Sequence, residues 1–107
     1  MTVNLQVSDR VARQLKYFGT DTIESMDQKL AKLLEAELRR QLARYDLTDR
    51  QLSRKYDMSY AEFERRQVTK QMGYSWEAES DAIAWETAID GQATVKRQLS
   101  ELLHGDD

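Results

Sequence analysis

The sequence predicts a mainly α protein, with one N-terminal β-strand followed by about five helices. Three observations carry this expectation. The 107 residues contain no proline and four glycines, so little interrupts long helices. One short stretch at the start alternates apolar and polar residues, the period of a half-buried strand. After it, apolar residues recur at three- and four-residue spacing almost to the end.

The strand is VNLQV, residues 3–7, with Val3, Leu5 and Val7 on one side and Thr2, Asn4 and Gln6 on the other. No second strand pattern occurs, and a lone strand leaves its backbone N–H and C=O groups unpaired, so its partner is expected from another chain. Ser8 is a candidate N-cap for a short helix to about Phe18, with Val11, Leu15 and Phe18 on one face and Gly19 ending it. The second helix is expected from about residue 21 or 22 to Tyr45, along the stripe Ile23, Met26, Leu30, Leu33, Leu34, Leu38, Leu42 and Tyr45. Two further helix starts follow. Thr48 and Gln51 form a capping box with a Leu47 to Leu52 staple, and Ser59 and Glu62 repeat the pattern with Met58 and Phe63. A fifth helix begins near Ser75, with Ala78, Ala82, Trp85 and Ile89 on one face and Trp76 and Ile83 beside it. A last one, from about Gln92 to Leu103, groups Val95, Leu99, Leu102 and Leu103.

Composition limits the chemistry. There is no cysteine and one histidine, His104, which removes disulfides, Cys/His zinc sites and most His-based catalysis; no catalytic residue, metal site or cofactor is expected. Carboxylate pairs such as Glu62 with Glu35 or Glu37 are accounted for as solvated helix faces, and an enzyme is the least favoured class. No segment reaches membrane-spanning length, and a soluble, cytoplasmic protein is expected. Charge is uneven: residues 1–70 carry 14 Lys+Arg against 11 Asp+Glu, and residues 71–107 carry 2 against 8. A basic front and an acidic tail suit two different partners, a polyanion and a basic surface.

The order strand, short helix, glycine-ended loop and longer helix in TVNLQVSDRVARQLKYFGTDTIESMDQKLAKLLEAELRRQL resembles the ribbon-helix-helix family of bacterial repressors and antitoxins. The resemblance covers roughly residues 1–45 and implies a homodimer built on paired strands, followed by a helical extension over residues 46–107. It implies dimer contacts through Val3, Leu5, Val7, Leu30 and Leu34. By the same resemblance Thr2, Asn4 and Gln6 would face DNA bases, and Thr20 and Thr22 would meet phosphate.

The segment KYDMSYAEFERR and the Trp-bearing acidic tail also look like small antitoxin-type proteins. In the tail Glu77, Glu79, Asp81, Glu86 and Asp90 surround Trp76, Ile83, Trp85 and Ile89 without a Lys or Arg between residues 71 and 93. Aromatic anchors framed by carboxylates suit a groove on a basic, toxin-like protein, and Trp76, Ile83, Trp85, Glu86 and Ile89 are the candidate partner-binding residues. Packing of both tryptophans into the chain's own core is the open alternative. The expected function is therefore that of an antitoxin, dimerising, binding operator DNA and neutralising a basic toxin. Two alternatives stand beside it: an oligomeric helical adaptor, and a helix-turn-helix regulator using residues 48–66. Glu62 and Glu64 on the outward face of the latter's second helix would be repelled by phosphate, so that unit is read as a packing hairpin.

Overall fold

A computed structural model describes residues 3–17 and 23–105, with side chains in the second stretch from residue 25 onward. The described chain is almost entirely helical: α1 (Asp9–Lys16), α2 (Ile23–Tyr56), α3 (Tyr60–Arg65), α4 (Val68–Gln71) and α5 (Trp76–His104). The architecture is an antiparallel hairpin of two long helices, α2 and α5, with α3 and α4 folded into the turn between them.

No strand occurs among the described residues, which corrects the expected N-terminal β-strand and with it the ribbon-helix-helix fold. Residues 3–8 are non-helical and exposed, and Val3, Leu5 and Val7 make no ladder. A strand exists only by pairing its backbone, and every other described segment long enough to pair is already committed to helical hydrogen bonds. The second helix also departs from the ribbon-helix-helix pattern, because it runs 34 residues and passes straight through the expected boundary at residues 45 and 46.

Capping signals were partly decisive. Ser8, Ser59 and Ser75 each accept a hydrogen bond from the backbone N–H three residues on, at 3.2 Å, and start α1, α3 and α5. Thr48 does not start a helix. Its hydroxyl instead donates to the carbonyl of Arg44 at 3.3 Å, the back-bond a threonine makes inside a helix. α2 ends one turn past Leu52: Asp57 takes a left-handed backbone (φ 54°), and the Met58 N–H closes onto the Ser53 carbonyl at 3.2 Å. This is a Schellman stop in which aspartate stands where glycine is commonest, and Met58 packs back beside Leu52. Gly73 (φ 67°) makes the same stop after α4, with the Tyr74 N–H bonded to the Thr69 carbonyl at 2.9 Å.

The core sits at this closed end. Trp85 has no exposed surface, and Phe63, Leu52 and Val68 are buried with it, with Tyr56, Met58, Tyr60, Ala82 and Ile89 packed around them. Phe63 lies 5.1 Å from Trp85 and 5.0 Å from Tyr56, ring centre to ring centre, in tilted and edge-to-face arrangements that aromatic quadrupoles favour. Toward the other end the hairpin continues through Ala88, Val95 and Leu99. α5 ends opposite the stretch of α2 around residues 32–34, so the first turns of α2 project past it by roughly 13 Å. The radius of gyration is 19.9 Å, against about 13 Å for a compact chain of this length.

The two expected C-terminal helices are one. Gly91 lies inside α5 rather than between helices, because α5 passes Tyr45 there too closely for a side chain: a Cβ on Gly91 would stand 2.4 Å from the tyrosine ring. Gly91→Ala should therefore destabilise the protein, although alanine in a helix interior is ordinarily worth about 1 kcal/mol over glycine. In a Tyr45→Ala background the same change should become neutral or stabilising. Thermal unfolding of the four variants checks this, and a Gly91→Ala protein more stable than the parent would refute the close-approach explanation.

Candidate protein-binding surface

The face of α5 turned away from α2 is defined by the residues α5 buries. Ala78, Trp85, Ala88, Val95 and Leu99 point inward, which at 100° per residue sends Trp76, Ile83 and Asp90, seven apart, to the opposite side. Trp76 is 84% exposed and Ile83 66% exposed, about 10 Å apart along the axis. Glu79, Glu86 and Asp90 flank them, all exposed and none in an ion pair. An indole left almost wholly in water has no packing role in its own chain.

The tail's other two carboxylates are already engaged. Lys55, in the last turn of α2, bonds Glu77 and Asp81 at 2.6 Å each, and the Tyr56 hydroxyl donates to Asp81 at 2.6 Å. The absence of cations between residues 71 and 93 thus does not leave the segment uncompensated, because α2 supplies one from across the hairpin. Burial pushes the Tyr56 hydroxyl up to about 12, assisted by its bond to Asp81. At Asp81 burial acts to raise the pKa, but the hydrogen bonds from Lys55 and Tyr56 outweigh it and hold the carboxyl below its usual value. Donating hydrogen bonds to Asp81 and Glu77 raises the pKa of the Lys55 ammonium.

A second polar group lies deeper in the seam. The Trp85 indole N–H donates to Asp49 at 2.8 Å, and the Gln92 side-chain amide donates to Asp46 at 2.9 Å and Asp49 at 3.2 Å. Every buried side-chain polar atom among the described residues has a partner. Trp85 and Gln92 stood out in the sequence in other roles; Asp46 and Asp49 did not, and only the seam register shows what they face. Among the described residues no three of His, Cys, Asp or Glu converge to hold a metal ion.

The structure divides the candidate partner-binding residues. Trp76, Ile83 and Glu86 lie on the outward face, joined there by Glu79 and Asp90. Trp85 is fully buried and Ile89 packs against the core, so neither reaches an external partner in this fold. Of the candidate DNA contacts, Asn4 and Gln6 are exposed on the non-helical arm, and Thr2, Thr20 and Thr22 lie outside the described residues. Of the candidate dimer residues, Val3, Leu5, Val7 and Leu34 are exposed and Leu30 is half-buried. The stretch over residues 48–66, the alternative helix-turn-helix, takes its first helix from the end of α2 and its second from the six-residue α3, with Phe63 buried and Glu62 paired to Arg65 and Arg66.

No protein-family model matches the chain, and no curated protein or solved structure matches it. No helix among the described residues is long and apolar enough to cross a membrane.

Asp81 makes the fold acid-sensitive in a defined direction. Its pKa in the folded chain lies below the ordinary value of about 3.9, so the unfolded chain takes up the proton first. The stabilisation is complete above that ordinary value and is lost as pH falls from it toward the folded one. Asp81→Asn should lower the melting temperature at pH 7 and flatten its decline as pH falls below about 4. An unchanged acid limb in circular-dichroism melts would show that the Lys55–Asp81–Tyr56 group does not contribute.

Proposed function

We propose that this chain is a non-catalytic binding protein that occupies the surface of a basic protein with the outward face of α5, the toxin-neutralising role of an antitoxin being the specific form of that activity. One observation carries the reading: Trp76 and Ile83 are exposed on a single helix face within a frame of three unpaired carboxylates. A large aromatic in the middle of a patch is the commonest energetic anchor of a protein interface, and surrounding charge selects and steers the partner. The helix is held rigid from behind by the Trp85 core, so the face is presented without an ordering cost on binding. The DNA-binding part of the antitoxin expectation loses its paired-strand basis with the ribbon, and no other described surface takes its place.

The test is co-expression with the product of the neighbouring gene. On this reading that product is basic, inhibits growth alone and is neutralised by this chain. Trp76→Ala should weaken the complex by roughly 2 kcal/mol or more while leaving the melting temperature almost unchanged. Trp85→Ala should instead lower stability by about 3–5 kcal/mol, because it empties the core. Affinity should fall with added salt, and less steeply for a Glu79→Gln, Glu86→Gln variant. Undiminished neutralisation by the Trp76→Ala, Ile83→Ala double variant would overturn the assignment of this face.

A further inference from the structure

Near the end of α2 the chain leaves two cations unused. The other three arginines of this helix pair with its own carboxylates: Arg39 with Glu35, and Arg40 and Arg44 with Glu37. Arg50 and Arg54 are exposed and make no ion pair. Sequence spacing alone would give Arg50 a partner, since Asp46 stands four residues before it. Asp46 instead accepts the Gln92 amide across the seam, and Asp49 accepts the Trp85 indole N–H and the same amide. Asp57, three residues past Arg54, has left the helix and pairs with neither arginine. The register that seats Trp85 thus draws away the acids that would otherwise neutralise this end of α2. Two like charges at i and i+4 repel, and no described side chain relieves them.

The turn after α2 builds a hollow beside them. Arg50, Ser53 and Arg54 share one face at i, i+3 and i+4, with the two arginines roughly 6 Å apart along the axis. The left-handed Asp57 and the closure of the Met58 N–H onto the Ser53 carbonyl turn the chain back, which brings Ser59 to the same place. These four residues and Asp49 line a hollow of about 290 Å³. It offers two guanidiniums and two hydroxyls. The Ser53 hydroxyl has no partner among the described residues, and the Ser59 hydroxyl accepts from the Glu62 N–H, which leaves its own proton to donate. The fifth lining residue, Asp49, has each carboxylate oxygen already bonded to a seam donor.

We propose that this hollow binds a phosphomonoester, carried by a small molecule or by a phosphorylated side chain. A carboxylate ligand brings one charge and two oxygens, enough for one guanidinium fork. A phosphomonoester brings nearly two charges and three acceptor oxygens, enough for both arginines and a hydroxyl. The hollow lies at the small end of ligand pockets, which suits the phosphate rather than the group that bears it. It belongs to α2 and the turn into α3, and does not rest on the role of the α5 face.

Amide NMR titration of the full chain with inorganic phosphate, at constant ionic strength in chloride, tests the site. Saturable shifts are expected at Ser53, Arg54, Ser59 and Tyr60. Arg50→Gln and Arg54→Gln should each weaken binding roughly tenfold, with the melting temperature almost unchanged because neither side chain is buried or paired. The double variant Arg39→Gln, Arg40→Gln takes comparable charge from the same helix and should leave binding intact. A phosphoserine peptide and its unphosphorylated form separate the sources. Tighter binding of the phosphorylated peptide than of free phosphate identifies a modified side chain as the ligand, and no gain over free phosphate identifies a small phosphomonoester. In either case affinity for the monoester should rise as pH rises through about 6, where it takes its second charge. No shift, shifts that grow without saturating, or an equal loss from the Arg39→Gln, Arg40→Gln variant overturns the proposal.

Discussion

The Trp85 indole is the contact on which the rest of the molecule depends. It is the largest buried side chain, and its N–H must find an acceptor or leave a polar group stranded in an apolar core, at a cost of about 1–3 kcal/mol. Asp49 provides that acceptor from the opposite helix. This single hydrogen bond links the first third of α5 to the last quarter of α2 and so selects one register out of the several that two apolar stripes would tolerate. From that register follow the passage of Gly91 beneath Tyr45, the approach of Lys55 to Glu77 and Asp81, and the direction in which Trp76 points. The aromatic rings of Tyr56, Tyr60 and Phe63 close around it and tie the short helices to the long ones.

Much of the helical grammar was legible, and its failures have physical causes. Ser8, Ser59 and Ser75 cap where expected, because the backbone before each has already left a helix: residues 3–7 are non-helical, and left-handed residues Asp57 and Gly73 stop α2 and α4. Thr48 carries the same signature but sits within one of the chain's strongest helix-forming stretches, where ending α2 would break hydrogen bonds that nothing at Leu47 replaces. The apolar period of the tail already set Ala78, Ala82, Trp85 and Ile89 on one face and Trp76 and Ile83 apart from it. Reading both tryptophans as one anchor set ignored that separation. The strand failed for a different reason. Alternation over residues 3–7 describes a segment able to pair, but pairing is a property of two segments, and one sequence cannot show that the second is present.

Charge shows a similar division between what is local and what is not. Five carboxylates in the tail look alike in sequence, yet Lys55 pairs with two of them from across the hairpin and leaves Glu79, Glu86 and Asp90 on the outer face. The acidic character of the tail is therefore concentrated on the side where Trp76 and Ile83 stand. Likewise Gly91 reads as a helix terminator until its neighbour on the other helix is known.

The hairpin is bound unequally along its length. Its turn end is held by a ring cluster, a Schellman stop and an ion-pair group, whereas its far end meets through leucines and glutamines around an open groove. Local opening is cheapest where few apolar contacts must be broken, so backbone amides near the end of α5 should exchange with solvent sooner than those around Trp85. The molecule behaves as a pair of tongs with a fixed pivot. Its tips can part and close without disturbing the hinge, and any event that grips the tips changes their exchange rates while the pivot stays silent.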